Sequence, residues 1–170
     1  MKKERVYVEE GWLDILKEQE KILRYETFDR ETILELGLKI IQTAKKNLNR
    51  NVACRIVEDT TVVFAYKGEG TTLENDWWMD RKLATTRLTG MSSLHAAVAE
   101  AYGQIEPFYE GREDNFALCG GCIPVQMKDG RKPYAFVLVS ALAHNDDHQV
   151  IADAMAEQLG VEIPRIEKSI

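Results

Sequence analysis

Apolar positions near the start of the chain recur at helical spacing. Trp12, Leu13, Leu16 and Leu23 line one side of residues 9–23, a period that predicts an amphipathic helix. From Asp29, a good N-cap residue, a second stripe of Ile33, Leu36, Ile40, Ala44 and Leu48 predicts a helix to about Leu48. The period then shortens to two. Val52, Cys54 and Ile56 alternate with polar neighbours, and β-branched and aromatic residues continue to Tyr66 around Glu58-Asp59, which predicts a hairpin. Past Gly68-Glu69-Gly70, Thr71-x-x-Glu74 has the form of a capping box and opens a helix to about Thr89. Gly90 breaks it, and Ser92 or Ser93 caps another through Ala101. Gly103 to Asn115, with Pro107 and the charged run Glu110-Gly111-Arg112-Glu113-Asp114, predicts a solvated loop. Phe116-Ala117-Leu118 predicts a short strand, and Ile123 to Met127 is expected to pair across Asp129-Gly130 with Tyr134 to Ala141. Asn145 or Asp146 then caps a last helix from about Asp147 to Leu159, with Ile151, Met155 and Leu159 inward. The order predicts an α+β fold in which helices cover an antiparallel sheet.

Length and charge narrow the class. The 170 residues, 45% of them hydrophobic, suit one domain over 1–170 with a helical extension at about 9–24. With 28 acidic against 22 basic residues, the net charge of -6 argues against nucleic acid and anionic lipid as partners. The longest apolar run, Ala135-Phe136-Val137-Leu138-Val139, is too short to span a bilayer and reads as a buried strand. The odd count of three cysteines fits a reducing compartment, and Met1 to Glu10 lacks the apolar core of a secretory signal, so a cytoplasmic location is expected.

Candidate chemistry concentrates in Glu74-Asn75-Asp76-Trp77-Trp78-Met79-Asp80-Arg81-Lys82, where two indoles, three carboxylates and two cations share nine residues. At i,i+4 spacing Arg81 can lie along Trp77 and Lys82 along Trp78, while Asp76 and Asp80 form a like-charge pair that costs a little unless a cation or solvent separates them. Adjacent residues point differently, so one indole is expected in the core and the other against a subunit or ligand. Cys119-Gly120-Gly121-Cys122 has dithiol spacing, but a strand with Pro124 follows instead of a helix N-terminus, which favours two buried thiols over a redox pair. His144-x-x-x-His148 has metal-ligand spacing only if both residues lie on one helix, and a cap at Asn145 or Asp146 would leave His144 outside it. No metal site is assigned. His95 reads as a partly buried helix residue that competes with His148 as a lone axial ligand. The chain has no P-loop, no dinucleotide fingerprint and no Gly-x-Ser-x-Gly elbow.

Several of these segments occur together, in order, in a known family. Phe28-Asp29 with Ala44, Gly70-Thr71-Thr72, Asn75-Asp76-x-Trp78, Arg81-Lys82 and Ser92-Ser93-Leu94 are followed by Gly120-Gly121-x-Ile123-Pro124-Val125, Val139-Ser140-Ala141-Leu142 and Asp147-His148-Gln149-Val150. Across most of its length the chain resembles the GlcG/HbpS-like, or heme-degrading-domain, proteins and especially their small cytosolic branch. The resemblance implies an antiparallel sheet of about five strands flanked by helices, assembly into dimers or larger homo-oligomers, and a cleft. It also implies heme or a related molecule as ligand, with Arg81, Lys82, Asp147 and His148 as cleft residues; from their own chemistry Trp78 is a further candidate ligand contact, and Trp77 and Trp78 are candidate interface residues. At one turn this chain departs from the family pattern: Cys119-Gly120-Gly121-Cys122 stands where His-Gly-Gly-Gly or a close variant is expected, which makes Cys119 a candidate substitute thiolate ligand. The expected function is therefore an oligomeric small-molecule-binding protein, with carboxylates of the ligand on Arg81 and Lys82. A homo-oligomeric interaction module without catalysis is the alternative, followed by thiol redox through Cys119 and Cys122. The plainer role for Arg81 and Lys82 is to neutralise neighbouring carboxylates. No residue of the tryptophan segment offers a nucleophile or a tuned acid–base pair.

Overall fold

The computed structural model of the protein describes residues 5–169. Helix α1 (Trp12–Ile22) leads through the two-residue strand β1 (Arg24–Tyr25) into α2 (Arg30–Leu48), and the hairpin β2 (Ala53–Glu58) and β3 (Thr61–Lys67) follows. Helices α3 (Leu73–Thr89) and α4 (Ser93–Ala101) come next, then the long loop, β4 (Cys122–Pro124), β5 (Gln126–Met127), β6 (Ala135–Ser140) and α5 (His144–Leu159). Strands β3-β2-β6-β4 form an antiparallel sheet, and β1 pairs in parallel with β5 beside it. The fold is the expected antiparallel sheet flanked by helices, with six strands in place of about five.

Burial explains the layers. Ile33, Leu36 and Ile40 of α2 and Ile151 and Met155 of α5 pack on Cys54, Ile56, Val137 and Val139 on one face of the sheet. On the other face Met79 and Leu83 of α3 meet Ala53, Val57, Phe136 and Leu138. Strand β6 is thus covered on both sides and all six residues are buried, which is why it reads as an unbroken apolar run. A third cluster lies outside these layers, where Trp12, Leu13 and Leu16 of α1 pack on Leu94, Val98 and Ala99 of α4 and on Ile166 of the tail.

Local chemistry sets the element ends. The Asp29 carboxylate accepts the Thr32 N–H at 2.8 Å and caps α2 as expected. The box at α3 sits one residue later than expected. Thr72 is the N-cap and accepts from Glu74 N–H, Asn75 Oδ1 accepts the Thr72 N–H in return, and the Thr71 hydroxyl donates to the Gly68 carbonyl instead. Helix α5 starts earlier than expected, from Ala143, whose carbonyl accepts the Asp146 and Asp147 N–H groups. Asn145 and Asp146 are therefore inside the helix, and so is His144. Phe116 to Leu118 is not a strand, because the Ala117 N–H is taken by the Arg81 carbonyl and the Thr85 hydroxyl. Only Cys122 to Pro124 pairs with β6, and Gln126-Met127 turns away to β1. Pro124 sits at a position of this edge strand whose missing N–H costs no bond to β6, and the Val125 N–H beyond it still donates to the Ala135 carbonyl at 2.9 Å before the chain leaves for β1.

Candidate functional site

The inner face of α3 is polar. Met79 and Leu83 share it with Arg81, Lys82, Thr85 and Thr86, all buried. Lys82 is 2% exposed, and its ammonium donates to Asp147 Oδ2 and to the Val139 carbonyl, each at 3.0 Å. Asp147 Oδ1 accepts the Leu142 N–H at 3.0 Å. The pair joins α3 to the first turn of α5, where a carboxylate also suits the helix dipole. Burial pushes the Asp147 carboxyl up to about 7, against the pull of Lys82 and of the Leu142 N–H.

Two glycines make room for this centre. A Cβ on Gly121, whose φ is +129°, would lie 2.5 Å from Lys82 Nζ and 2.5 Å from the Val139 carbonyl oxygen. One on Gly120 would overlap the His144 carbonyl oxygen. The turn between Cys119 and Cys122 is therefore a packing device with no space for side chains. Both cysteines are buried free thiols. Burial raises the Cys119 thiol despite Lys82 and Arg81 nearby, and holds Cys122 at about 12. At neutral pH neither has the thiolate character that disulfide exchange or metal ligation uses.

Arg81 turns the other way from Lys82. It is 5% exposed, and its guanidinium carbon lies 4.3 Å from the Trp77 ring centroid and 4.6 Å from that of Trp78. One Nη donates to the Glu113 and Phe116 carbonyls at 2.9 and 2.7 Å. Its Nε and other Nη are buried without a hydrogen-bond partner. The expected stacking of Lys82 on Trp78 does not occur, because the ammonium is spent on Asp147; Arg81 takes both indoles. Nor does either indole reach the core. Trp77 is 44% exposed and meets the half-buried Trp78 edge-on at 5.3 Å. Between Asp76 and Asp80 the separating group is a cation, since Arg55 bonds both, at 3.1 and 2.6 Å.

All three histidines face the N-terminal segment. His144 Nδ1 accepts the Gly120 N–H at 3.0 Å and its Nε2 bonds the Tyr7 carbonyl at 2.7 Å. His148 Nε2 bonds Gln19 Oε1 at 2.9 Å, and its Nδ1 is buried without a partner. His95 Nδ1 pairs with Glu20 Oε1 at 2.7 Å. A narrow cavity beside His148, bounded by Leu16, Gln19, Leu23, Ile123 and Pro124, has room for about one water and not for a porphyrin. His144 and His148 do share a helix, but each ring is already engaged, and among the described residues no group of three or more His, Cys, Asp or Glu could hold a metal ion.

The structure thus collects Lys82, Asp147, His148 and the Cys119 turn around the start of α5, and sets Arg81, Trp77 and Trp78 apart against the loop at 113–116. Sequence reasoning missed Gln19. Its signal was a polar residue on the otherwise apolar stripe of α1, where it is buried and its amide nitrogen donates to Gln149 Oε1 and the Pro164 carbonyl.

These features define a small α/β/α protein with a closed polar centre between α3 and α5 and an added helix over its histidines. The chain belongs to the HbpS-like family, whose model, described as haem degrading protein HbpS-like, matches residues 28–156. A UPF0303 protein of Yersinia pseudotuberculosis is 29% identical over 153 residues, 89% of this chain and 88% of the relative. The crystal structure of Ybr137w protein matches with 26% identity and a TM-score of 0.75, covering 87% of this chain and 88% of that one. That of a PduOC:heme complex shares the fold, with 14% identity and a TM-score of 0.61 over 79% of this chain and 95% of the other. No helix among the described residues is long and apolar enough to cross a membrane.

Proposed function

We propose that this chain is an oligomeric, cytoplasmic small-molecule-binding protein, one HbpS-like domain with an N-terminal helical arm, whose ligand presents a carboxylate and a flat apolar surface to Arg81, Trp77 and Trp78. The observation that carries this reading is the Arg81 guanidinium, buried between two indoles with two nitrogens unpartnered. A buried donor left unmet is costly, and a planar guanidinium answers a carboxylate with two parallel hydrogen bonds. The Asp114 carboxylate acts on Arg81 from the loop, so an anionic ligand would compete with that loop for the same charge.

Heme is the first ligand to test, given the family and the heme complex among the structural neighbours. The residues here do not fit a heme buried at the histidines. His148 lies under α1 beside a water-sized space, His144 uses both ring nitrogens, and Cys119 is a protonated thiol. Lys82, bonded to Asp147 and Val139, is 2% exposed and so not open to a propionate from solvent. A porphyrin would instead lie on the outer indole with a propionate at Arg81. Titration with hemin should then give saturable quenching of tryptophan emission that Arg81→Lys and Trp77→Ala weaken and His148→Gln leaves intact. Absence of saturable binding by hemin and by simpler aromatic carboxylates would sink the reading, and binding unaffected by Arg81→Lys would move it elsewhere.

The second reading, a homo-oligomeric interaction module, rests on the outer stripe of α3, where Leu73 is 83% exposed and Trp77 and Leu88 are exposed beside it. Leu73→Asp and Trp77→Ala should lower the mass measured by light scattering if that stripe is a subunit contact, and an unchanged mass in both rejects it.

A further inference from the structure

Each histidine of the chain spends a ring nitrogen on the same short stretch, Tyr7 to Glu20. That stretch precedes the family match, which begins at residue 28, and takes no place in the four-stranded sheet or in the helical layers on it. It rests on α4 and the tail through Trp12, Leu13 and Leu16, and a cavity separates part of it from the body beneath. From Leu23 the chain passes directly into β1, which anchors the arm at one end.

The bonds themselves select neutral rings. Gln19 uses its amide nitrogen on Gln149 and Pro164, so its oxygen accepts from His148 Nε2–H, leaving Nδ1 bare, buried and without an acceptor for a second proton. His144 accepts the Gly120 N–H at Nδ1 and donates from Nε2–H to Tyr7, so a proton arriving at Nδ1 would face a donor. Only the contact between His95 and Glu20 gains from an imidazolium, and it works against the other two in acid. We propose that the N-terminal arm, Tyr7 to Leu23, is an acid-released latch: His148 and His144 hold it only as neutral rings, and acidification lifts it off α4 and α5 while the sheet stays folded.

The charged surroundings agree with that direction. Burial, with the charges of His144 and His95, drives His148 down to about 3, and burial with Lys82 and Lys168 lowers His144 against the Tyr7 carbonyl and Asp146. Asp147, next to His148, is turned to Lys82 and Leu142. Once undocked and solvated, His148 titrates near its ordinary value of about 6.5, so the docking constant falls roughly tenfold per pH unit below that point. Between pH 7.5 and 5.0 that is about 30-fold for His148 alone.

Amide hydrogen exchange on the full chain at those two pH values, corrected for intrinsic rates, reads this opening directly. The expected result is an opening constant for α1 amides about 30-fold or more higher at the lower pH, with α2 and β6 unchanged, and loss of most of that response in His148→Gln. Equal protection of α1 at both pH values, an unaltered response in a folded His148→Gln, or α1, α2 and β6 opening together would each overturn the proposal. Gln19→Ala, confined to the arm, supplies an independent check. It should raise α1 opening at pH 7.5 without touching α2 or β6, and no rise would also count against the latch.

Discussion

Replacing Lys82 with Met tests whether the polar centre is a coupled ion pair or an incidental contact. The parent pair sits out of water, with side chains 3% and 4% exposed. Even with the ammonium at 3.0 Å, burial keeps the Asp147 carboxyl at about 7, whereas an unfolded aspartate titrates near 3.9. Below about 7 the folded parent holds a proton that the unfolded chain lacks, so this group adds stability as the pH falls toward the unfolded value. Without Lys82 the carboxyl must enter the fold protonated at higher pH as well, which costs about 1.4 kcal/mol for each pH unit above about 7. At about pH 9 this is roughly 3 kcal/mol, and the Val139 carbonyl left without its donor adds about 1, for a total near 4 kcal/mol. At pH 7 only the carbonyl's share of about 1 kcal/mol remains. Urea denaturation of parent, Lys82→Met, Asp147→Asn and the double variant across this range measures the coupling as a double-mutant cycle. In the double variant the amide that replaces the Asp147 carboxyl is neutral and still accepts from Leu142, so the dependence on pH above 7 should vanish. A single variant that tracks the parent at every pH, or a double variant as pH-dependent as the single one, would refute the coupling.

Gly121→Ala should be costly for two separable reasons. The positive φ strains any side chain, and the new Cβ meets Lys82 Nζ and the Val139 oxygen at 2.5 Å, together about 3 kcal/mol or more in thermal or urea unfolding. Gly70→Ala is the control, since φ there is +88° with nothing within 4 Å of the Cβ; it should cost only about 1 kcal/mol, and equal losses at both positions would discredit the steric argument. Arg55→Leu should lose about 1–2 kcal/mol near neutral pH by leaving Asp76 and Asp80 face to face. Hydrogen bonding by Lys67, with the charges of Lys67 and Arg55, holds the Asp76 carboxyl below its ordinary range, so the stability it contributes is present above about 3.9 and fades as the pH falls through its folded value. Parent and variant should therefore converge as the pH is lowered, and a gap in urea titrations that does not narrow at all below about 3.9 would contradict this.

Helices whose buried side is apolar were legible from spacing. Ile33, Leu36, Ile40 and Ala44 mark the inner face of α2, and Asp29 marks its start. Strand β6 was legible for a related reason, being apolar throughout because both of its faces are covered. Helix α3 was legible as a helix but not in its orientation. It buries Arg81, Lys82, Thr85 and Thr86 and exposes Leu73, Trp77 and Leu88, so a reading that sends polar residues outward turns it the wrong way. The start of α5 was obscured because Ala143 caps it without a side-chain bond. The pairing of β1 with β5 rests on two residues from each strand, too few to carry a period. Among the site residues, Lys82, Asp147 and His148 were singled out from sequence, but the pairing of Lys82 with Asp147 and the remaining contacts were not. Gln19 and Val139 are brought to them only by the tertiary fold.

The absence of a side chain at Gly121 carries an evolutionary consequence. Positions 82, 121 and 147 occupy one small volume, since the lysine stem fills the space that a side chain at 121 would take and its charge requires the carboxylate at 147. A change at any one of them is opposed by the other two. A lineage that loses the lysine gains room at 121 and loses the need for an acid at 147, so descendants should inherit the three as a set or replace them as a set.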